Sequence, residues 1–289
     1  MRIGITGASG MLGAALVAHL SKFHKVFATS RSKGIEGKNI EWDCFDLTSI
    51  KLLNNWLDRV KPNVVIHCAA IVNIDLCEEN FDLASKIHVE ATRSISSYLN
   101  HNNGRLIYIS TDSVFDGKKH GYYNESDPVA PLNVYAKTKL MGERCTQLMS
   151  NGLVLRTNII GRAQKNNTSF SEWVLKELVD KVPLNLFYDV NFSPLHVHDL
   201  SLIIEKIINK PIFGLYHCAS NDSISKYDFG KKMAEIFQLS ASNINKISIE
   251  NMNFKAERPK NMALNIDKIS KVLEYDFPSA IDAIKLMKY

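Results

Sequence analysis

The chain has 289 residues, 45% of them hydrophobic and 22% charged, and a formal net charge of +5. This balance excludes a disordered or fibrous protein, and no run approaches the roughly 18 uninterrupted apolar residues of a membrane span. The basic residues are dispersed, which argues against a nucleic-acid face, and the five scattered cysteines form no Cys-x-x-Cys pair, which argues against a zinc site or a disulfide framework. The N-terminus runs straight into a strand pattern without an apolar signal region, so a cytoplasmic location is expected.

In residues 1–160, β-branched runs alternate with amphipathic stretches. Strands are predicted at Arg2–Thr6, Lys25–Thr29, Asn63–His67, Arg105–Ser110 and Leu153–Thr157. Helices are predicted near Met11–Lys22, Ser49–Val60, Asp82–Asn100 and Asn133–Ser150. Continuous apolar strands separated by helices imply an α/β fold whose parallel sheet is covered on both faces and binds ligands beyond its carboxyl edge. After Gly161 the pattern weakens. A polar run at Ala163–Ser169 precedes helical patterns near Phe170–Val182, His198–Asn209 and Lys226–Phe237, with strand-like runs at Leu184–Val190 and Gly214–Cys218. The expected organisation is a dinucleotide-binding domain over residues 1–160 and a smaller substrate lobe over 161–289, interleaved with the first.

The first strand leads into Gly7-Ala-Ser-Gly10-Met-Leu-Gly13. Gly7 allows a tight turn, Gly10 lets backbone approach a pyrophosphate, and Gly13 lets the following helix pack on the strand. The backbone at Ser9, Met11 and Leu12 then offers amides to the diphosphate. This is the signature of a Rossmann-type, doubly wound sheet, and the three-residue glycine spacing resembles the short-chain dehydrogenase/reductase superfamily. Ser30 and Arg31 end the second strand where an acidic residue would favour NAD, and a guanidinium there pairs with a 2′-phosphate. NADPH is therefore the expected cofactor, with NADH as the alternative. Asp46 and Leu47 stand where the superfamily contacts adenine, although Asp46 also suits a helix cap. Cys68, Ala69 and Ala70 are small enough for close approach to the nicotinamide ribose.

Tyr135 and Lys139 lie on one face of a predicted helix, one turn apart. A tyrosine hydroxyl is a poor acid or base near neutrality, and a neighbouring ammonium stabilises its phenolate. Ser110 and Thr111 close the strand before that helix. Thr111 is the expected catalytic hydroxyl and Ser110 a support of the strand end.

Ser-Thr-Asp-x-Val-Phe-Asp-Gly at 110–117, Pro-Leu-Asn-Val-Tyr-x-Lys-x-Lys at 131–139, Val-Leu-Arg-Thr at 154–157 and Arg-Pro-Lys-Asn at 258–261 resemble the dTDP-4-dehydrorhamnose reductase family of extended short-chain dehydrogenases. The resemblance covers nearly the whole chain. It implies NADPH-dependent reduction of a 4-keto deoxy-sugar nucleotide, with Tyr135 as proton donor, Lys139 orienting the ribose and tuning Tyr135, and Thr111 binding the carbonyl oxygen. Both Tyr135 and Lys139 thus count as cofactor contacts as well. On the substrate side, Arg258 is a candidate for the diphosphate, Asn158 for the sugar and Phe170 for the base, with Val72, Asp112 and Phe115 as further contacts. Expected partners are the sugar nucleotide and a second copy of the chain.

The chain departs from the family at Ser113, where a tyrosine is common. Ala14 and Ala15 stand where some members carry an acidic magnesium ligand, so no metal is expected. His196 and His198 are read as structural, at a contact between lobes. Two other readings compete: a non-catalytic NADP-binding regulatory subunit of the methionine adenosyltransferase type, and a sugar-nucleotide epimerase or dehydratase.

Overall fold

A computed structural model describes residues 1–162 and 169–288. Six strands, β1 (Arg2–Thr6), β2 (Lys25–Ser30), β3 (Ile40–Cys44), β4 (Val64–His67), β5 (Arg105–Thr111) and β6 (Gly152–Thr157), enter one parallel sheet. The strand Gly214–His217 joins β6 as the seventh, giving the order Gly214–His217, β6, β5, β4, β1, β2, β3. The order reverses direction between β1 and β4, the place where an open parallel sheet leaves a crevice at its carboxyl edge. β4, β5 and β6 are buried along their whole lengths, as a sheet covered on both faces requires.

Helix α1 (Met11–Leu20) lays Leu12, Leu16, Val17 and Leu20 on one face, sharing a core with Leu200, Ile203, Ile204 and Ile207 of the helix Val197–Ile208. On the other face, α2 (Ile50–Val60) buries Leu53, Trp56, Leu57 and Val60 beside Ile95 and Leu99 of the helix Ala91–His101. Burying each such aliphatic side chain is worth roughly 1.5–3 kcal/mol, so these two layers fix the sheet and with it the loops at its carboxyl edge. The remaining C-terminal elements build a separate core around Leu184, Leu186, Phe192, Phe229 and Met233.

Three features differ from the predicted pattern. β3 was absent from it, because Ile-Glu-Trp-Asp-Cys is an edge strand of alternating character whose Glu41 pairs with Lys25 at 2.8 Å. The single helix expected over Asp82–Asn100 is broken into Phe81–Ser85, one π-helical turn at Lys86–Glu90, and Ala91–His101. Finally, Gly214–His217 and the helix Val197–Ile208 return from the C-terminal part to complete the main sheet and its helical cover. Of the polar run Ala163–Ser169, residues 163–168 lie outside the described residues, and Ser169 caps the helix Phe170–Asp180.

Candidate active site

The glycine turn is built for contact with backbone. Gly7 has φ +65°, and a Cβ there would sit 2.7 Å from Ala69 N and Cα; a Cβ on Gly13 would lie 2.2 Å from the Gly7 carbonyl oxygen. The loop after β4 is thereby pressed against the turn after β1. Gly10 is exposed. The hydrogen-bond ladder of α1 begins with the Ala14 N–H donating to Gly10 O at 2.9 Å, and neither a side-chain cap nor a first-turn acid covers the amides before it. An uncapped helix start beside an exposed glycine fits an anionic diphosphate.

Arg31 is exposed just beyond β2, and its charge lowers the Asp46 carboxyl, whose first cause is the Thr48 N–H donating to it at 2.9 Å. Arg31 and Asp46 therefore share one corner of the carboxyl edge. The cap of α2 is Ser49, which accepts from Leu52, so Asp46 makes a local turn and does not cap that helix. Leu47 is buried in the core beneath this corner. The Ser30 hydroxyl donates to Ser32 O at 2.5 Å, shaping the loop that carries Arg31.

Tyr135 and Lys139 lie on the helix Val134–Gln147, whose start is fixed by Asn133: its side-chain oxygen accepts from Ala136 N–H at 2.9 Å. Thr111 ends β5 directly in front of that helix. Its hydroxyl donates to Asp112 Oδ1 at 3.1 Å and accepts from the Ser113 N–H at 3.1 Å. Burial raises the Tyr135 phenol above its usual range, while a hydrogen bond with Thr111 opposes the shift and Asp112 and Cys77 add to it.

The Lys139 ammonium donates to Ile109 O at 2.6 Å and lies 4.1 Å from the centre of the Tyr108 ring. Burial lowers its pKa to about 7, against the opposing charges of Glu143 and Cys68. The ammonium is held by the strand beneath Thr111. One turn further on, Glu143 accepts from Arg156 at 2.7 Å and from the Ser110 hydroxyl at 2.5 Å. Ser110 thus ties the end of β5 to the helix Val134–Gln147 on the side away from Thr111.

Of the substrate candidates, Asp112 and Asn158 meet: the Asn158 amide donates to Asp112 Oδ2 at 2.6 Å. Phe115 does not face a ligand. It is fully buried, stacked on Tyr123 at 4.1 Å with the His217 ring edge-on at 5.7 Å, because the tight turn Asp112–Val114 directs it into the core. Phe170 joins an aromatic group with Trp173, Phe192 and Phe229 and is only partly exposed. The Arg258 guanidinium lies over Phe254 at 4.2 Å and donates to Asp75 at 3.3 Å, bridging the C-terminal part to the segment after β4. Val72 is 70% exposed at the start of that segment. His196 caps its own helix, accepting from His198 N–H at 3.3 Å.

Over residues 1–287 the chain matches the model of the RmlD substrate binding domain family. The chain belongs to this family. It is 26% identical to a probable low-salt glycan biosynthesis reductase of Haloferax volcanii, covering 98% of this chain and 96% of that protein. It is 33% identical to methionine adenosyltransferase 2 subunit beta of Xenopus laevis, covering 93% and 81%. Among solved structures it resembles dTDP-4-dehydrorhamnose reductase from Bacillus anthracis in complex with NADP, with a TM-score of 0.85, 25% identity, and 99% and 98% coverage.

In this RmlD-family chain Lys226 also stands near Asp112, with no sequence motif to mark it. Its ammonium lies 3.2 Å and 4.0 Å from the ring centres of Phe192 and Phe170, and burial lowers its pKa to about 7 while the Asp112 charge opposes. A lone lysine opening a helix carries no signal in one dimension; only the tertiary fold brings it near Asp112.

Proposed function

We propose that the protein is an NADPH-dependent reductase of a 4-keto deoxy-sugar nucleotide, an oxidoreductase acting on a CH–OH group. The observation that carries this reading is the convergence of the Thr111 hydroxyl and the Tyr135 phenol at the carboxyl edge of the sheet, beside the glycine turn. When bound, NADPH would supply the hydride that reduces the keto carbon. Tyr135 donates to the carbonyl oxygen and passes its proton to it as negative charge develops. Thr111, whose one proton points to Asp112 Oδ1 in this structure, would turn it to the same oxygen when substrate binds. Gly10, Met11 and Leu12 would hold the diphosphate, Arg31 the 2′-phosphate, and Cys68, Ala69 and Ala70 the nicotinamide ribose. Asp112, Asn158 and Arg258 would face the sugar nucleotide.

A regulatory-subunit reading is favoured by the 33% identity to the methionine adenosyltransferase subunit. One experiment separates the two. Purified protein is incubated with NADPH and a panel of 4-keto deoxy-sugar nucleotides, and the loss of NADPH absorbance is followed. Sugar-dependent oxidation that is lost in Tyr135→Phe supports the reductase. NADPH binding without turnover of any panel member supports the regulatory subunit.

A further inference from the structure

His88 sits in the π-helical turn that interrupts the predicted helix, and it is fully buried. A π-turn inserts one extra residue and so rotates the flanking side chains by about 100° relative to one another, a device that recurs at functional sites. Here it delivers an imidazole between two parts of the site. The Ile71 N–H, at the end of the loop after β4, donates to His88 Nε2 at 2.9 Å. On the other side of the ring, Nδ1 lies 2.8 Å from the Thr138 hydroxyl. That hydroxyl has Val134 O at 2.8 Å and Tyr135 O at 3.0 Å as acceptors for its own proton. It therefore accepts from Nδ1–H, and the ring is fixed in one neutral tautomer with both nitrogens engaged. The ring also meets Tyr135 edge-on, with centres 5.8 Å apart and planes at 83°.

The sheet order gives this bridge its meaning. Passing from β2 through β1 and β4 to β5, the carboxyl edge carries Arg31, the glycine turn, the Cys68–Ile71 loop and Thr111 in turn. A dinucleotide with its 2′-phosphate at Arg31 and its diphosphate on α1 reaches the Cys68–Ile71 loop with its nicotinamide half. We propose that His88 is a positioning residue that clamps this loop to the helix carrying Tyr135, and so sets the nicotinamide half of the cofactor against the proton donor. His88 touches neither reacting group; it acts through Ile71 on one side and through Thr138 on the other. The proposal rests on the reductase reading for its catalytic consequence and on the glycine turn alone for its binding consequence.

The test uses the full-length protein and the variants His88→Phe, His88→Gln and Thr138→Val. Two ligands are titrated: NADPH, and adenosine 2′,5′-bisphosphate, which carries the 2′-phosphate end and lacks the nicotinamide. His88→Phe fills the same space without nitrogens. It is expected to weaken NADPH about threefold to tenfold and leave the bisphosphate unchanged, while His88→Gln, with one donor and one acceptor, restores most of the loss. Thr138→Val keeps the imidazole and removes the partner of Nδ1; should His88→Phe fail to fold, this variant decides the matter by the same two titrations. With a substrate in hand, kcat of His88→Phe is expected to fall about tenfold to a hundredfold, as for a small misplacement of reacting groups, with the sugar-nucleotide KM little changed. Equal loss of both ligands, or no loss of either, overturns the proposal, as does a glutamine variant no better than phenylalanine. Selective NADPH weakening without turnover in the wild type would instead count against the reductase reading and leave the clamp standing.

Discussion

The two oxygens of the Asp112 carboxylate accept from different elements: Oδ2 from the Asn158 amide beyond β6 and Oδ1 from the Thr111 hydroxyl at the end of β5. The Ser113 hydroxyl shares Oδ1 at 3.2 Å. Asp112 is almost fully buried, which raises its pKa against the opposing hydrogen bonds and the charge of Lys226. The carboxylate thus fixes where the Thr111 hydroxyl points. Asn158→Ala removes one donor and leaves Asp112 under-satisfied, a loss of about 1.5–3 kcal/mol for a hydrogen bond to a charged group. The expected outcome is a fall in kcat/KM of about tenfold to a hundredfold with NADPH affinity retained. Unchanged kcat/KM would show that the carboxylate does not orient Thr111.

Tyr135→Phe keeps the ring beside His88 and removes the proton. Its kcat should fall by about 10²–10⁴-fold, while the NADPH dissociation constant and the thermal midpoint stay close to wild type. Thr111→Val should fall between the two. Full activity in Tyr135→Phe would place the proton donor elsewhere.

Arg31 tests the choice of cofactor. Arg31→Ala should raise the NADPH dissociation constant more than the NADH constant, by a difference of about 1.5–3 kcal/mol. Titration by cofactor fluorescence measures both. Equal changes would make Arg31 a solvated surface charge.

Acid stability follows from four buried histidines. Burial is the first cause of each shift, and it lowers His67 and His217 to about 3, His196 to about 4 and His88 to about 2, from an ordinary 6.5. The unfolded chain then binds protons that the folded chain refuses, so stability is fully present above pH 6.5 and is lost as pH falls from 6.5 toward about 3. The slope approaches about 1.4 kcal/mol per pH unit for each such ring. Urea unfolding at several pH values should show it, and His217→Asn should reduce the slope in that window. An unchanged slope would mean that the His217 ring already ionises in the folded state.

Much of this protein is written in short stretches of chain. The Gly7–Gly13 turn, the one-turn spacing of Tyr135 and Lys139 and the hydroxyl of Thr111 at a strand end are all readable locally, because each depends on residues within about two turns of one another. The same holds for the buried strands β1, β2, β4, β5 and β6, whose apolar runs follow from a sheet covered on both faces. Pairings across the fold were decided only by tertiary structure. The sheet places Gly214–His217 beside β6, the π-turn carries His88 to Ile71 and Thr138, and the C-terminal lobe sets Lys226 near Asp112. Lys139 shows the limit most clearly. Its spacing from Tyr135 is fixed by the helix, yet its ammonium is turned to the Ile109 carbonyl and its charge is governed by burial. Periodicity fixes which residues share a face; burial and the partners brought in from distant segments fix what those residues can do.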